Sequence, residues 1–173
     1  MMKTERPARK KNRINGFCYG SGFSYHVVIC TENRTELLSC VCTKNDSAVV
    51  KLTRIGCAVE KSILSNQEIY DDVTIDAYVI MPDHVHILLT IVGDSGVVLD
   101  RVVRLTKSSV TKAIGKKIWQ RSYYEHIIRS EKDYLNVLNY IEGNPTEHLN
   151  KLEDERTRLS LYSSQTPYRL QRG

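Results

Sequence analysis

The alternation of apolar and polar residues predicts four main β-strands with helical segments between them. Period-two patterns rich in β-branched and aromatic residues indicate strands, and apolar residues three and four positions apart indicate helices. The predicted strands cover residues 25–31, 72–80, 84–91 and 119–129. Helical spacing predicts helices over about 54–64, 97–114 and 131–144. Two short apolar runs, 38–42 and 48–52, flank a polar cluster and predict an accessory β-hairpin.

Local signals predict where the later helices begin and end. Asp94-Ser95-Gly96 offers an N-cap to the second helix, and Gly115 offers a C-cap. Ser130 begins a capping box that opens the last helix. Pro145 is expected to end that helix, because the residue before a proline avoids helical dihedral angles. The chain is therefore expected to consist of a basic arm (1–22), one domain (23–148) and a polar tail (149–173).

The order of these elements is β, hairpin, α, β, β, α, β, α, which predicts a ferredoxin-like βαββαβ sandwich of the α+β class. Its sheet would be antiparallel, with the first and third main strands adjacent at its centre. A chain of 173 residues is long enough for one domain with a sizeable core. No apolar run approaches the ~20 residues of a membrane span, and no secretory signal is visible, so a cytoplasmic location without membrane contact is expected.

Candidate chemistry lies on the third main strand, at His84 and His86. Because side chains alternate along a strand, both imidazoles point to one face, whereas Val85 and Ile87 point to the core. Two imidazoles on one rigid face can bind a single divalent cation. The alternative is that both histidines only form hydrogen bonds within the fold.

A second pair of polar residues, Tyr140 and Asn144, lies on the predicted last helix. Their spacing places them ~40° apart around the helix axis and ~6 Å apart along it, on one face. If the helix packs beside the histidines, His84, His86 and the Asn144 carbonyl could hold Mg²⁺ or Mn²⁺ and leave positions open for a phosphate. The Tyr140 oxygen could then attack that phosphate in line. The alternative is that Tyr140 is a half-buried packing residue.

The net charge of +5 is concentrated in two segments. Residues 1–15 hold six basic residues and one acidic residue, and residues 101–121 hold seven basic residues and no acidic one. Such segments indicate a polyanionic partner, nucleic acid first, unless they are simply a solvated tail and a solvated helix face. The candidate DNA contacts are Arg9, Lys10, Lys11, Arg13, Arg104, Lys107, Lys112, Arg121 and His126.

Three motifs in order resemble those of the REP-associated tyrosine transposases, which belong to the single-tyrosine HUH group. They are Met-Pro-Asp-His-Val-His at 81–86, the segment 119–129 with its Tyr-Tyr-Glu-His core, and Tyr-Ile-Glu-Gly-Asn-Pro at 140–145. The basic segment 9–16 and the strand that ends in Ile-Cys-Thr at 29–31 are also similar to that group. The resemblance covers about residues 9–148.

The resemblance implies metal-dependent cleavage of single-stranded DNA beside the hairpins of palindromic repeats, with a covalent 5′-phosphotyrosine intermediate. It implies that Tyr140 is the nucleophile, and that His84, His86 and Asn144 bind Mg²⁺ or Mn²⁺. One alternative is a catalytically silent DNA- or RNA-binding module of the same fold. Another is an HUH replication or conjugation nickase, from which the motifs between 119 and 145 point away. A dimer with the nucleophile helix supplied in trans and a monomer with it in cis both remain open.

Overall fold

Within the part of the chain that the structure describes, six strands and three α-helices follow one another in the predicted order. The structure is a computed structural model that describes residues 22–93 and 97–165, with side chains as far as residue 159. The strands are β1 (Phe23–Cys30), β2 (Ser39–Lys44), β3 (Ser47–Leu52), β4 (Val73–Ile80), β5 (His84–Ile91) and β6 (Tyr124–Ile127). The helices are α1 (Arg54–Ile69), α2 (Leu99–Ile114) and α3 (Glu131–Gln165). The predicted α+β class is confirmed.

The four main strands form one antiparallel sheet in the order β4-β5-β1-β6, and β2 and β3 form a separate hairpin. This is the ferredoxin-like order, with β1 and β5 at the centre as predicted. In the β1–β5 register, Val28 lies opposite His86 and Cys30 lies opposite His84. The histidine-bearing strand is therefore held on both of its edges.

The two faces of the sheet are covered by different helices. Helices α1 and α2 pack on the face that carries the main core, which includes Tyr25, Val27, Val85 and Leu89. Helix α3 packs on the other face through a smaller apolar cluster. That cluster contains Leu88, Ile128, Val137 and Ile141. The α3 residues in this cluster belong to the predicted buried stripe. Polar side chains at the margin of that stripe therefore reach the same face of the sheet.

The start of α1 is packed tightly against the segment that precedes β2. The Thr53 hydroxyl accepts from the Gly56 amide (3.1 Å) and donates to the Leu37 carbonyl (2.7 Å). A Cβ on Gly56 would overlap the Leu38 carbonyl oxygen, so this contact requires glycine. The Leu37 and Leu38 amides both donate to the Pro82 carbonyl (2.9 Å each). These bonds fix the loop that leads into β5.

Several element boundaries differ from the predictions. Helix α1 extends to Ile69, beyond the predicted end near 64. Strand β6 covers four residues, and the predicted strand over 119–129 was too long. Trp119 forms an isolated bridge with Thr31. Between Trp119 and β6 the chain is bonded to α2 instead, because the Lys107 ammonium donates to two backbone carbonyls of this segment. The predicted N-cap at 94–96 lies outside the described residues, and the N-cap position of α2 is Val98. The predicted C-cap is confirmed, since Gly115 has a left-handed φ of 74°.

The prediction that Pro145 ends the last helix was wrong. Helix α3 passes through Pro145 and continues to Gln165. Proline has a helical φ, and inside a helix it removes one amide donor rather than every bond of the turn. An ion pair between Glu147 and Lys151 (2.7 Å) supports the turn that follows. The residues predicted as a polar tail therefore begin inside a helix.

The predicted N-terminal arm, with Arg9, Lys10, Lys11 and Arg13, lies outside the described residues, apart from Gly22 at its end. Residues 166–173 of the predicted tail also lie outside them. Within the described part of the chain, no helix has the length and apolarity of a membrane span.

Candidate active site

The two predicted metal ligands meet on the α3 face of the sheet. His84 and His86 come from alternate positions of β5, and their Nε2 atoms lie 3.0 Å apart. Their rings are nearly perpendicular, at 84°, with centroids separated by 4.8 Å. The two Nε2 atoms are therefore adjacent on one face of the sheet, as the spacing in the sequence predicted.

His84 is oriented by a carboxylate and by the loop before β5. Its Nδ1 lies 2.6 Å from Oδ1 of Asp83, and the other oxygen of Asp83 pairs with Nε of Arg34 (2.6 Å). The Asp83 carbonyl accepts from both the amide and the hydroxyl of Thr31 (2.9 Å each). A carboxylate on Nδ1 keeps the proton there and leaves the lone pair on Nε2.

His86 is oriented by a third imidazole that the sequence analysis did not single out. Nε2 of His26, on β1, lies 3.0 Å from Nδ1 of His86, and the two rings stack. His26 is 8% exposed. One signal for it was available in the sequence: His26 falls on the strand predicted to lie beside the histidine strand. Its partner on the neighbouring strand, however, depends on a register that the sequence does not give.

Tyr140 lies directly beside these imidazoles. Its ring centroid is 5.2 Å from that of His86, edge-on at 89°, and 6.1 Å from that of His26. The side chain is 46% exposed, so a substrate can reach it. Two other tyrosines have different partners: the Tyr123 hydroxyl donates to Asp100 (2.7 Å), and Tyr134 packs in the apolar cluster under α3.

Asn144 lies one turn beyond Tyr140 and is 8% exposed. Both residues line one cavity of the protein. The cavity has a volume of about 350 Å³ and lies between the loop before β5 and α3. Its lining residues are Arg34, Glu36, Met81, Asp83, His84, Tyr140, Asn144, Glu147, His148 and Lys151. The structure thus brings the predicted nucleophile and the predicted helix ligand into one cavity with His84.

His148 is half-buried in the wall of this cavity. It follows Asn144 by one helical turn and Tyr140 by two, so all three share a face of α3. That spacing was visible in the sequence. The mistaken helix end at Pro145 concealed it.

The imidazoles of the site are neutral at physiological pH. Burial, reinforced by the charges of His84, His26 and Arg34, lowers the pKa of His86 to about 3. Burial and the charge of His126, partly offset by Asp133, lower the pKa of His26 to about 4. Burial also lowers the pKa of His84, against the opposing effect of Asp83. Neutral imidazoles have the lone pairs that a cation requires.

The histidine geometry fits a divalent cation with octahedral preferences. Two ligand atoms at right angles and 2.0–2.1 Å from an ion are ~3 Å apart, which matches the 3.0 Å between the Nε2 atoms. Among the described residues, no group of three or more His, Cys, Asp or Glu side chains could hold a metal ion. The third predicted ligand, Asn144, lines the same cavity as His84.

The predicted DNA contacts of the chain's middle region lie in another layer of the molecule. A groove of about 690 Å³ runs along α2 and the segment after it, on the helical side away from α3. Arg104, Lys112 and Arg121 line this groove and are exposed, and Trp119 and Tyr123 add aromatic surface. These basic side chains therefore lie together in the α2 groove, which is separate from the cavity at His84.

Two predicted DNA contacts already have partners within the fold. The Lys107 ammonium donates to the carbonyls of Gln120 and Ser122 (3.0 Å each). Nε2 of His126 pairs with the Asp133 carboxylate in the first turn of α3 (2.9 Å). His126 thus connects β6 to the helix that carries Tyr140.

The comparison with known families is decisive for the class of protein. The family model described as "Transposase IS200 like" matches residues 20–144, which include the whole sheet and the histidine, tyrosine and asparagine positions. The chain belongs to the IS200-like transposase family. The resemblance inferred from the three sequence motifs is confirmed.

Individual relatives agree with this family. The chain is 28% identical over 162 residues to an uncharacterised protein of Haemophilus influenzae Rd, covering 79% of this chain and 88% of the relative. It is 40% identical over 76 residues to the REP-associated tyrosine transposase of Escherichia coli K12, covering 43% of this chain and 45% of that protein. The chain therefore aligns with less than half of this named relative.

A solved structure supports the fold and the family together. A REP-associated tyrosine transposase bound to a REP hairpin superposes with a TM-score of 0.61 at 25% identity, covering 79% of this chain and 74% of that one. The predicted ferredoxin-like architecture with a C-terminal helix matches this neighbour.

Proposed function

We propose that this protein is a transposase-like endonuclease and strand transferase that cleaves single-stranded DNA through a covalent bond to Tyr140. The observation that carries the proposal is the edge-on contact of Tyr140 with His86, 5.2 Å between ring centroids, beside two converging Nε2 atoms. An exposed phenol next to two neutral imidazoles, one buried and one half-buried, has the components of metal-assisted phosphoryl transfer. Nucleic-acid binding alone would not require them.

The proposed reaction exchanges one phosphodiester for another. The Tyr140 oxygen forms a bond to phosphorus while the bond from phosphorus to the 3′ oxygen breaks. The phenol proton passes to solvent, and the departing oxygen takes up a proton to become a free 3′-hydroxyl. The product is a 5′-phosphotyrosine link, which a second 3′-hydroxyl can reverse without another energy source.

His84, His86 and Asn144 would hold Mg²⁺ or Mn²⁺ in this site. Such an ion supplies a Lewis acid that withdraws charge from the scissile phosphate. The protein residues do the positioning: Asp83 directs the lone pair of His84, and the apolar cluster under α3 holds Tyr140 beside His86. Burial keeps both imidazoles unprotonated.

The proposed DNA partner is a single strand with hairpins formed by palindromic repeats. The solved relative with a REP hairpin supports this choice. The α2 groove, with Arg104, Lys112 and Arg121, is the proposed surface for the hairpin backbone. The basic residues of the N-terminal arm would add further phosphate contacts. Action on chromosomal repeats would take place in the cytoplasm.

The proposed catalytic unit is a single chain. Helix α3 packs against its own sheet and brings Tyr140 to the histidines of the same chain. A dimer is not needed to complete the site, although dimers can still form through other surfaces.

The test uses single-stranded oligonucleotides that carry palindromic repeats from the encoding genome. The protein is incubated with them in Mn²⁺ or Mg²⁺, and a covalent adduct is sought on a denaturing gel and mapped by mass spectrometry. We expect an adduct on Tyr140 that disappears with EDTA. Tyr140→Phe should abolish the adduct and leave hairpin binding nearly unchanged, because only the attacking oxygen is lost.

The matched control is Tyr124→Phe, because Tyr124 is about as exposed (54%) and lies on the same face of the sheet. This variant should still form the adduct. An adduct that survives in Tyr140→Phe would identify a different nucleophile. Hairpin binding without an adduct, in both ions and with several repeats, would favour the catalytically silent binding module.

A further inference from the structure

Three imidazoles and one carboxylate form a continuous row across two strands. The row runs from Asp83 to Nδ1 of His84 (2.6 Å), from Nε2 of His84 to Nε2 of His86 (3.0 Å), and from Nδ1 of His86 to Nε2 of His26 (3.0 Å). His26 reaches His86 diagonally, because its direct partner on β5 is Leu88. His26 is thus the end of the row, and it is buried.

In this row, the ring nitrogen that carries the proton in one imidazole determines which nitrogen carries it in the next. A neutral imidazole has one N–H and one lone pair. The Asp83 carboxylate keeps the His84 proton on Nδ1, so Nε2 of His84 has a lone pair. A cation held by both Nε2 atoms needs a lone pair on Nε2 of His86 as well. His86 must then carry its proton on Nδ1 and donate it to an acceptor 3.0 Å away, and that acceptor is Nε2 of His26.

We propose that His26 is a positioning residue of the metal site, which accepts the Nδ1 proton of His86 and so turns the lone pair of His86 Nε2 toward the ion. This inference rests on the proposed function, since it assumes that His84 and His86 bind a cation. His26 does for His86 what Asp83 does for His84. The two ligands are thus oriented by different groups, a carboxylate from the loop and an imidazole from the neighbouring strand.

His26 needs no contact with substrate for this role. It lies on β1, behind His86, and its ring is 6.1 Å from that of Tyr140. An outer partner of a ligating histidine contributes about 10- to 100-fold to metal affinity. A glutamine at this position can bring an amide oxygen to about the place of Nε2, whereas a leucine offers no acceptor.

The test measures Mn²⁺ binding to the full-length protein by electron paramagnetic resonance, without DNA. His26→Leu should bind Mn²⁺ about 10- to 100-fold more weakly than wild type. His26→Gln should stay within about threefold of wild type, because the acceptor is kept. Ser24→Ala is the matched control, since Ser24 lies two residues away on the same face and bonds to Thr90 instead. Its Mn²⁺ affinity should equal that of wild type.

A second measurement observes the protons directly and does not depend on a variant that folds. Nitrogen-15 spectra of the imidazoles in Mg²⁺-saturated wild-type protein should show His26 protonated on Nδ1 and unprotonated on Nε2. A proton on Nε2 of His26 in that sample would overturn the proposal. So would equal Mn²⁺ affinity of wild type and a folded His26→Leu variant, and that result would leave the metal site itself intact. If wild type binds no Mn²⁺ at all, the metal site and the proposal fail together.

Discussion

Burying neutral histidines together makes the stability of this protein depend on pH. The perturbation is a change from pH 7 to pH 5 in the presence of EDTA. His26 and His86 have pKa values of about 4 and about 3 in the folded chain, lowered chiefly by burial. In the unfolded chain each imidazole returns to a pKa of about 6.5. Between these values the unfolded state binds more protons, so the free energy of unfolding should fall as the pH falls.

The magnitude follows from the same values. Stabilisation from the neutral imidazoles is fully present above pH 6.5 and decreases by up to about 1.4 kcal/mol per histidine for each pH unit below it. Integrated from pH 7 to pH 5, each of the two residues loses about 1.5 to 2 kcal/mol. Together they should lower the free energy of unfolding by about 3 to 4 kcal/mol, a large share of the ~5–15 kcal/mol of a typical domain.

Urea unfolding followed by circular dichroism at a series of pH values measures this change. His26→Gln removes one of the two groups, so its loss of stability between pH 7 and pH 5 should be smaller by about 1.5 to 2 kcal/mol. Proton spectra of the imidazoles should show that His26 and His86 remain neutral at pH 5. A wild-type loss of under about 1 kcal/mol, or titration of both residues near pH 6.5, would refute the reasoning that these imidazoles are desolvated.

Four further predictions address packing, assembly and the α2 groove. Gly56→Ala should destabilise the protein by about 2 kcal/mol in urea unfolding, because its Cβ overlaps a backbone carbonyl; unchanged stability would show that the contact relaxes. A mixture of Tyr140→Phe and His84→Ala proteins should form no adduct, because each chain assembles its own site, whereas recovered adduct would indicate exchange of the nucleophile helix. Lys107→Met should lower stability by about 2 kcal/mol through loss of two charge-assisted hydrogen bonds. Arg104→Met should instead weaken hairpin binding and its salt dependence, with stability changed by less than about 0.5 kcal/mol.

The order of the elements could be predicted because each main strand and helix has its own apolar period. His84 and His86 could be placed on one face because alternation along a strand needs no tertiary information. His26 could not be assigned, because its contact with His86 depends on the register of two strands that are about 60 residues apart. The role of Lys107 was likewise hidden, because its carbonyl partners lie in a segment without regular structure that a helix-face argument does not describe.

The error at Pro145 had the largest effect on the predicted site. A proline signal is local, whereas the residues after Pro145 have high helix propensity and include the Glu147–Lys151 ion pair one turn apart. Ending the helix there removed His148 and Lys151 from consideration, although both follow Tyr140 on the turns that line the cavity. A helix-ending signal is therefore weak evidence where good helix formers follow the proline.

The α3 face of the sheet combines two kinds of surface with different consequences. Leu88 and Ile128 pack with Ile141 and hold the helix in place. The neighbouring positions carry imidazoles whose burial costs stability, and an apolar side chain such as that of Leu88 would avoid this cost. All five histidines of the chain lie at this face or in its cavity. A sheet selected for stability alone would not need them, so their position beside Tyr140 is best explained by the chemistry of the site, with the apolar cluster holding Tyr140, the proposed nucleophile, beside them.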